Sequence, residues 1–143
     1  MSNIEQVLKE KGVCVTKTKG NSMEPMLVEG RDRVVIVPPE FPLKKYDVPV
    51  YRKLGHYTMH RIIKVTKEGY IICGDNRAVL EKNVKESDII GVLDGFYQGD
   101  KYISCTDDEF FVYARNAVRG LKVRRIKRFI NRAVNKIKRM LIY

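Results

Sequence analysis

Short runs of β-branched and other apolar residues, separated by glycine and proline, fill the first three quarters of the chain. Such runs are typical of β-strands. The predicted strands are residues 33–37, 47–51, 57–65, 69–75, 88–97 and 101–105. We expect the third and fourth to form one hairpin and the last two another, while Pro49 indicates an edge strand or a bulge. The pattern predicts a mainly β body, a folded-over or barrel-like antiparallel sheet, preceded by a short helix at residues 4–11.

Residues 112–143 follow a different pattern. They contain no proline and a single glycine, and from Ile126 onward apolar residues recur at three- and four-residue steps. This is the period of an amphipathic helix. The opposite face of that helix is basic, with Arg125, Lys127, Arg128, Arg132, Lys136, Lys138 and Arg139. We therefore divide the chain into a body, residues 1–111, and a basic amphipathic helical tail, residues 112–143.

Charge separates the same two parts. The chain has 28 Lys+Arg and 17 Asp+Glu, a formal net charge of +11, and all of the excess lies in the tail. Such a helix is typical of attachment to an anionic membrane surface. The candidate anion-binding residues are Arg125, Arg128, Arg132, Lys136 and Arg139. Docking on the body and binding of a partner protein stay open, whereas nucleic acid is disfavoured because the tail has few aromatic residues and no recognised binding motif.

Composition excludes several classes of protein. Apolar residues make up 44% of the chain, so a buried core is expected, but no run is long enough for a transmembrane helix. The polar N-terminus lacks the apolar segment of a signal peptide, so we expect a cytoplasmic protein, with the inner membrane face as the site of any attachment. Cys14, Cys73 and Cys105 are scattered, which indicates reduced thiols rather than a disulfide or zinc site. We expect no metal and no cofactor.

A candidate nucleophile lies in residues 20–27, GNSMEPML. The hydroxyl of Ser22 needs a base to take its proton, and the base needs a group that orients it. His56 and His60 lie on or beside the predicted third strand, and they share a face if that strand is regular. Asp75 ends the returning strand of the hairpin and can approach His60. An ordinary loop serine, a structural histidine and a turn aspartate remain the alternatives.

Several ordered segments resemble the signal peptidase I superfamily of serine peptidases. GNSMEPML resembles its S-M-x-P nucleophile box, and DVPVYRK resembles the strand box that follows. MHRIIKV resembles the His-Arg box of the ER-type signal peptidases and their bacterial relatives, in which a histidine replaces the lysine base. GDNRAVLE is similar to the GDNN box of that branch, and VKESDIIGVLDGF to the stretch after it. The resemblance covers residues 20–96.

The resemblance implies a β-rich serine endopeptidase that cleaves a leader, signal-like or propeptide segment. It implies Ser22 as nucleophile and oxyanion donor through its backbone N–H, His60 as general base, and Asp75 as the acid that orients the histidine. Family substrates bind as extended peptides beside a strand, and relatives prefer small residues before the cut. Met23 and Pro25 are the candidate substrate contacts.

The chain departs from the family at several positions. Gly20 stands where ER-type members often carry serine, so Asn21 or the backbone must complete the oxyanion hole. Tyr46 stands where a glycine is usual. The second acid after the GDN segment can only be Glu81, which we assign to support of the site. Only some twenty residues precede Ser22, so the family's spanning helix and its membrane attachment do not carry over.

Two other classes of function stay open. The body can be a degenerate peptidase that binds peptides without cleaving them, with the tail as an anchor to a membrane or a partner. A LexA-like self-cleaving regulator is disfavoured, because it needs a lysine base and a DNA-binding domain that the residues before Ser22 are too few to form.

Overall fold

The structure is a computed structural model that describes residues 3–142. Within this range, antiparallel pairing joins the strands into two sheets, and a long helix follows them. In chain order the elements are α1 (Ile4–Lys11), β1 (Cys14–Lys17), β2 (Asp32–Val37), β3 (Pro49–Lys53), β4 (His56–Met59), β5 (Arg61–Thr66), β6 (Gly69–Cys73), β7 (Glu81–Val84), β8 (Ile89–Gln98), β9 (Lys101–Ser104) and α2 (Asp108–Leu141).

The larger sheet is built around β8. Its strand order is β1-β2-β8-β3-β4, and β9 pairs with β8 as well. Along one side β8 pairs with β2, and along the other it pairs first with β3 and then with β9. The inward side chains of these strands meet Leu8 of α1 and Phe110 of α2 in one apolar cluster. Its strand members are Cys14, Val34, Ile36, Val50, Leu93, Phe96 and Ile103.

The smaller sheet has the order β5-β6-β7. It carries a second apolar cluster, in which Tyr51 of the larger sheet contacts the inward residues of the smaller one. These are Ile62, Tyr70, Ile72 and Val84. The two sheets therefore meet near β3, β4 and β5, the region that holds both histidines.

Local sequence explains the ends of α1. The side chain of Asn3 accepts a hydrogen bond from the Gln6 N–H at 2.8 Å, which caps the first turn. Gly12 ends the helix with a φ of 73°, and its N–H donates to Leu8 O. The predicted bounds of this helix and the two predicted hairpins, β5–β6 and β8–β9, are confirmed.

Other expectations need correction. The predicted strand at residues 57–65 is wrong, because it divides at His60 into β4 and β5, which belong to different sheets. β3 is not an edge strand, since it pairs with both β4 and β8, but its register does shift directly after Pro49, between Val50 and Tyr51. The short polar strands β1 and β7 were not predicted.

α2 crosses the predicted boundary between body and tail. It begins at Asp108 and runs to Leu141, and its first half packs on the body through the buried side chains of Phe110, Ala114 and Leu121. The body and the start of the tail therefore share one core. Neither helix of residues 3–142 combines the length and the apolarity that a bilayer crossing requires.

Candidate active site

A groove opens between the two ends of the larger sheet. β1 and β4 stand at opposite ends of its strand order, yet both line one cavity of about 630 Å³, so the sheet curls round to face itself. Ser22 and Met23 line the same cavity, and its floor is apolar. The floor residues are Leu27, Val34, Ile36, Val50 and Met59.

The segment that carries Ser22 is a tight turn whose apolar residues anchor it in the core. Met23 and Met26 are buried, and the Leu27 N–H donates to Met23 O at 3.0 Å. Gly20 precedes the serine with a φ of 77°, a conformation that favours glycine. This gives a physical reason for glycine at residue 20.

His60 lies in the break between β4 and β5, and its side chain is 13% exposed. Its Nδ1 is 3.2 Å from Glu81 Oε1 and 3.2 Å from the Tyr51 hydroxyl. The carboxylate can only accept, so we assign the ring proton to Nδ1, which donates to Glu81. That assignment leaves the lone pair on Nε2, where a general base needs it.

Gly74 shows how close the Ser22 segment and the His60 ring are. A Cβ at Gly74 would stand 2.8 Å from Ser22 O and 3.1 Å from His60 Cδ2, so only glycine lets these segments meet. Cδ2 is bonded to Nε2, so this edge of the ring faces the serine segment while Nδ1 faces Glu81. Among the described residues no hydrogen bond joins Ser22 Oγ to His60, and such bonds often tighten only when substrate binds.

The surroundings of His60 favour its neutral form. Burial lowers the pKa of His60 below its usual value, Glu81 acts in the opposite direction, and the charges of Lys53 and Arg77 lower it again. Lys53 Nζ also lies 3.1 Å from Glu81 Oε1. Burial raises the pKa of Tyr51, and the nearby charge of Glu81 raises it further, so the hydroxyl keeps its proton beside His60 Nδ1. A neutral imidazole at neutral pH is the form that can accept a proton from serine.

Asp75 does not hold the position expected of it. Both of its carboxylate oxygens accept hydrogen bonds at 2.8 Å from Arg61, and this pair is buried, with side chains 2% and 0% exposed. Arg61 follows His60 directly, yet its side chain points to Asp75 while that of His60 points to Glu81. The group that contacts His60 is Glu81, for which only a supporting role was expected.

Asn21 helps to position the serine through its two oxygens, whereas its Nδ2 makes none of the described hydrogen bonds. Its Oδ1 accepts from Arg77 Nη2 at 2.6 Å, and its backbone oxygen accepts from Asn76 Nδ2 at 3.1 Å. The Asn76 N–H also donates to Ser22 O at 2.9 Å. Arg124 of α2 holds this loop in turn, because its Nε donates to Arg77 O at 2.7 Å. This link from α2 to the site was not predicted.

Thr18 is a second residue that the sequence did not reveal. Its Oγ1 is buried and lacks a hydrogen-bond partner within residues 3–142, and the residue lines the same cavity as Ser22. A buried hydroxyl without a partner is costly unless a ligand supplies one. No feature of the sequence separates Thr18 from its neighbour Thr16.

The remaining candidate residues are divided between the cavity and α2. Met23 lines the cavity, whereas Pro25 is exposed and outside its lining. His56 also lines the cavity, at the turn between β3 and β4. Arg125, Arg128 and Arg132 border a shallow cleft against residues 78–82, and Lys136 and Arg139 lie farther along α2, exposed.

Residues 3–142 contain no group of three histidine, cysteine, aspartate or glutamate side chains placed to hold a metal ion. A scan against protein-family models finds no match for the chain, and no curated protein matches it either. The case for a function therefore depends on the geometry around Ser22 and on the ordered segments in the sequence.

Proposed function

We propose that the protein is a serine endopeptidase in which Ser22 is the nucleophile, His60 the general base and Glu81 the acid that orients the histidine. The observation that carries this proposal is the placement of His60. Its Nδ1 contacts Glu81, while the opposite edge of the ring faces the Ser22 segment at the mouth of an apolar groove. The resemblance to ER-type signal peptidases supports Ser22 and His60 in these roles, whereas it implied Asp75 rather than Glu81 as the acid.

In this mechanism His60 Nε2 takes the proton of Ser22 Oγ as the oxygen attacks the scissile carbonyl carbon. The imidazolium, stabilised by Glu81, then gives that proton to the leaving amine, which departs and leaves an acyl-enzyme. Water attacks the ester with His60 again as base, and Ser22 is restored. The Ser22 N–H makes none of the described hydrogen bonds, so it is available to the oxyanion, and we assign Thr18 Oγ1 as a second donor.

The groove supports an extended peptide as substrate. β1 and β4 each have an unpaired edge in the strand order, and both line the cavity. A peptide strand laid between them would pair its backbone with these edges and place alternate side chains toward the apolar floor. We propose a leader, signal-like or propeptide segment with a small or apolar residue before the cut.

The test uses a fluorophosphonate probe, which labels activated serines, together with a peptide library read by mass spectrometry. We expect the intact chain to be labelled at Ser22 and to cleave peptides. Ser22→Ala should abolish both activities, and His60→Ala should lower both rates by about 10³-fold or more. Ser87→Ala, at an exposed serine outside the groove, is the matched control and should act like the parent. Cleavage that survives in both Ser22→Ala and His60→Ala would overturn the assignment.

A second candidate is a peptide-binding module without catalytic activity. The missing hydrogen bond between Ser22 Oγ and His60, together with glycine at residue 20, favours it. It predicts that the library binds in the groove without cleavage and that the probe leaves Ser22 unlabelled. The same experiment therefore separates the two candidates.

A further inference from the structure

The two halves of α2 use opposite faces. In the first half, Phe110, Ala114 and Leu121 are buried against the body. In the second half the apolar residues are exposed instead, and we call them the apolar stripe. It consists of Ile126, Phe129, Ile130, Val134, Ile137, Met140 and Leu141, which are 41% to 80% exposed.

Helical geometry places the apolar stripe away from the body. Ile130 follows Leu121 by nine residues, about two and a half turns, so the two side chains lie on opposite sides of the helix. Ile137 follows Phe110 by 27 residues, about seven and a half turns, with the same result. A straight helix docked through Phe110 and Leu121 therefore turns most of the apolar stripe away from the body. Phe129, at the margin of the stripe, borders the cleft against residues 78–82 and is still 75% exposed.

Basic residues border the apolar stripe on both sides. On the helix projection Lys127 and Lys138 lie along one margin, and Arg132 and Lys136 lie along the other. No acidic residue occurs after Glu109. The second half of α2 therefore combines an exposed apolar face with margins that carry only positive charge.

We propose that the second half of α2, residues 123–142, lies in the interface of an anionic lipid bilayer, with its axis parallel to the surface and the apolar stripe inserted. A helix with a polar basic face and a narrow apolar face takes this position, and its lysines and arginines reach the anionic headgroups. The segment is about 30 Å long at 1.5 Å per residue, enough for several lipids to contact it. This inference does not depend on the proposed peptidase activity.

Charge argues against the other occupants of this face. A second copy of the chain would bring two helices together whose margins carry only positive charge, which is repulsive. A nucleic acid would contact the arginines and lysines but would leave the apolar stripe in water. An anionic bilayer matches both the apolar stripe and the positive charge along its margins.

The test is flotation of the full chain with vesicles of phosphatidylcholine, with and without phosphatidylglycerol. We expect binding to the anionic vesicles, little binding to the neutral ones, and release as salt rises. Phe129→Ser/Ile137→Ser and Arg132→Gln/Lys136→Gln should each weaken binding about tenfold or more. The matched controls are Leu54→Ser/Val65→Ser, exposed apolar residues of the body, and Lys64→Gln/Lys67→Gln, exposed lysines of the body. Circular dichroism checks that every variant keeps its helix.

Several results would overturn the inference. Equal binding to neutral vesicles would show that anionic lipid is not required. Unchanged binding of Phe129→Ser/Ile137→Ser would show that the apolar stripe does not insert. If the full chain instead failed to float and formed a dimer that Phe129→Ser/Ile137→Ser dissociates, this result would assign the apolar stripe to contact with a second copy of the chain. Failure to float, with RNA binding lost in Arg132→Gln/Lys136→Gln, would assign the helix to nucleic acid.

Discussion

Two acid–base contacts lie side by side in this protein and differ in almost every physical respect. Asp75 contacts Arg61, and Glu81 contacts His60. The two acids therefore bind residues that are adjacent in the sequence. The first pair is sealed in the core, with side chains 2% and 0% exposed, whereas those of Glu81 and His60 are 18% and 13% exposed.

The difference shows why only one of these pairs is suited to catalysis. An arginine side chain keeps its proton in proteins, so its pair with a carboxylate cannot transfer one. Arg61 instead ties separate elements together, because it also donates to Tyr46 O and lies 5.1 Å from the centre of the Phe110 ring. A histidine beside an open groove can exchange a proton near neutral pH. Of the two acids, Asp75 is part of the buried core, and Glu81 is the one that contacts the proposed general base.

The substitution with the largest expected effect on the Glu81–His60 pair is Glu81→Gln. The amide offers Nδ1 of His60 no carboxylate and weakens stabilisation of the imidazolium, so we expect the rate of fluorophosphonate labelling at Ser22 to fall about 10³- to 10⁴-fold. The free energy of unfolding should stay within about 0.5 kcal/mol of the parent, because the site is partly exposed. Glu68→Gln, at an exposed turn, is the control. A labelling rate like that of the parent would mean that Glu81 does not orient His60.

The second substitution is Asp75→Asn, and its expected effect is on stability. It leaves Arg61 buried without its charged partner, which costs about 3–5 kcal/mol. Urea unfolding measures the loss, and Asp100→Asn, in the exposed turn before β9, is the control. If Asp75→Asn were as stable as the parent but inactive, Asp75 would belong to the catalytic machinery as the sequence had suggested.

Much of the fold could be predicted because its signals are local. The cap at Asn3, the stop at Gly12 and the turns of the two hairpins act within a few residues. The division of residues 57–65 could not be predicted, because MHRIIKV reads as one continuous strand and only pairing with distant partners separates β4 from β5. β1 and β7 are short and polar, so their pairing rather than their composition defines them.

The candidate site could be predicted only in part, for a similar reason. The ordered segments select Ser22 and His60, and the structure brings the backbone oxygen of Ser22 and the ring of His60 to the same side of Gly74. Which acid contacts the histidine depends on the direction of side chains at the break after β4. The expected approach of the two ends of the hairpin, together with the GDN segment, therefore selects Asp75 over Glu81.

Thr18→Val extends the comparison to the groove that Ser22 and Thr18 line. If the buried hydroxyl donates to the oxyanion, its removal should lower the rate of peptide cleavage about tenfold to hundredfold, with the Ser22 N–H still in place. Binding of the peptide should change little, since the hydrogen bond strengthens only in the transition state. Thr16→Val is the control. Thr16 lines the same cavity, but unlike Thr18 it is not among the described residues whose buried side-chain oxygen lacks a hydrogen-bond partner. Equal rates for the two variants would rule out Thr18 as a donor.

The smallest expected effect comes from Lys53→Met and appears in the pH profile. The positive charge of Lys53 lowers the pKa of His60 and also pairs with Glu81, which raises it. Removing the lysine therefore favours the imidazolium on both counts, so the pKa of His60 rises. The activity of a histidine base is lost as pH falls through its pKa. The acid limb of the labelling rate should consequently move to higher pH, and only slightly, because Lys53 is 46% exposed and water screens its charge. Lys64→Met should leave the limb in place, and a shift to lower pH in Lys53→Met would show that the titrating group is not His60.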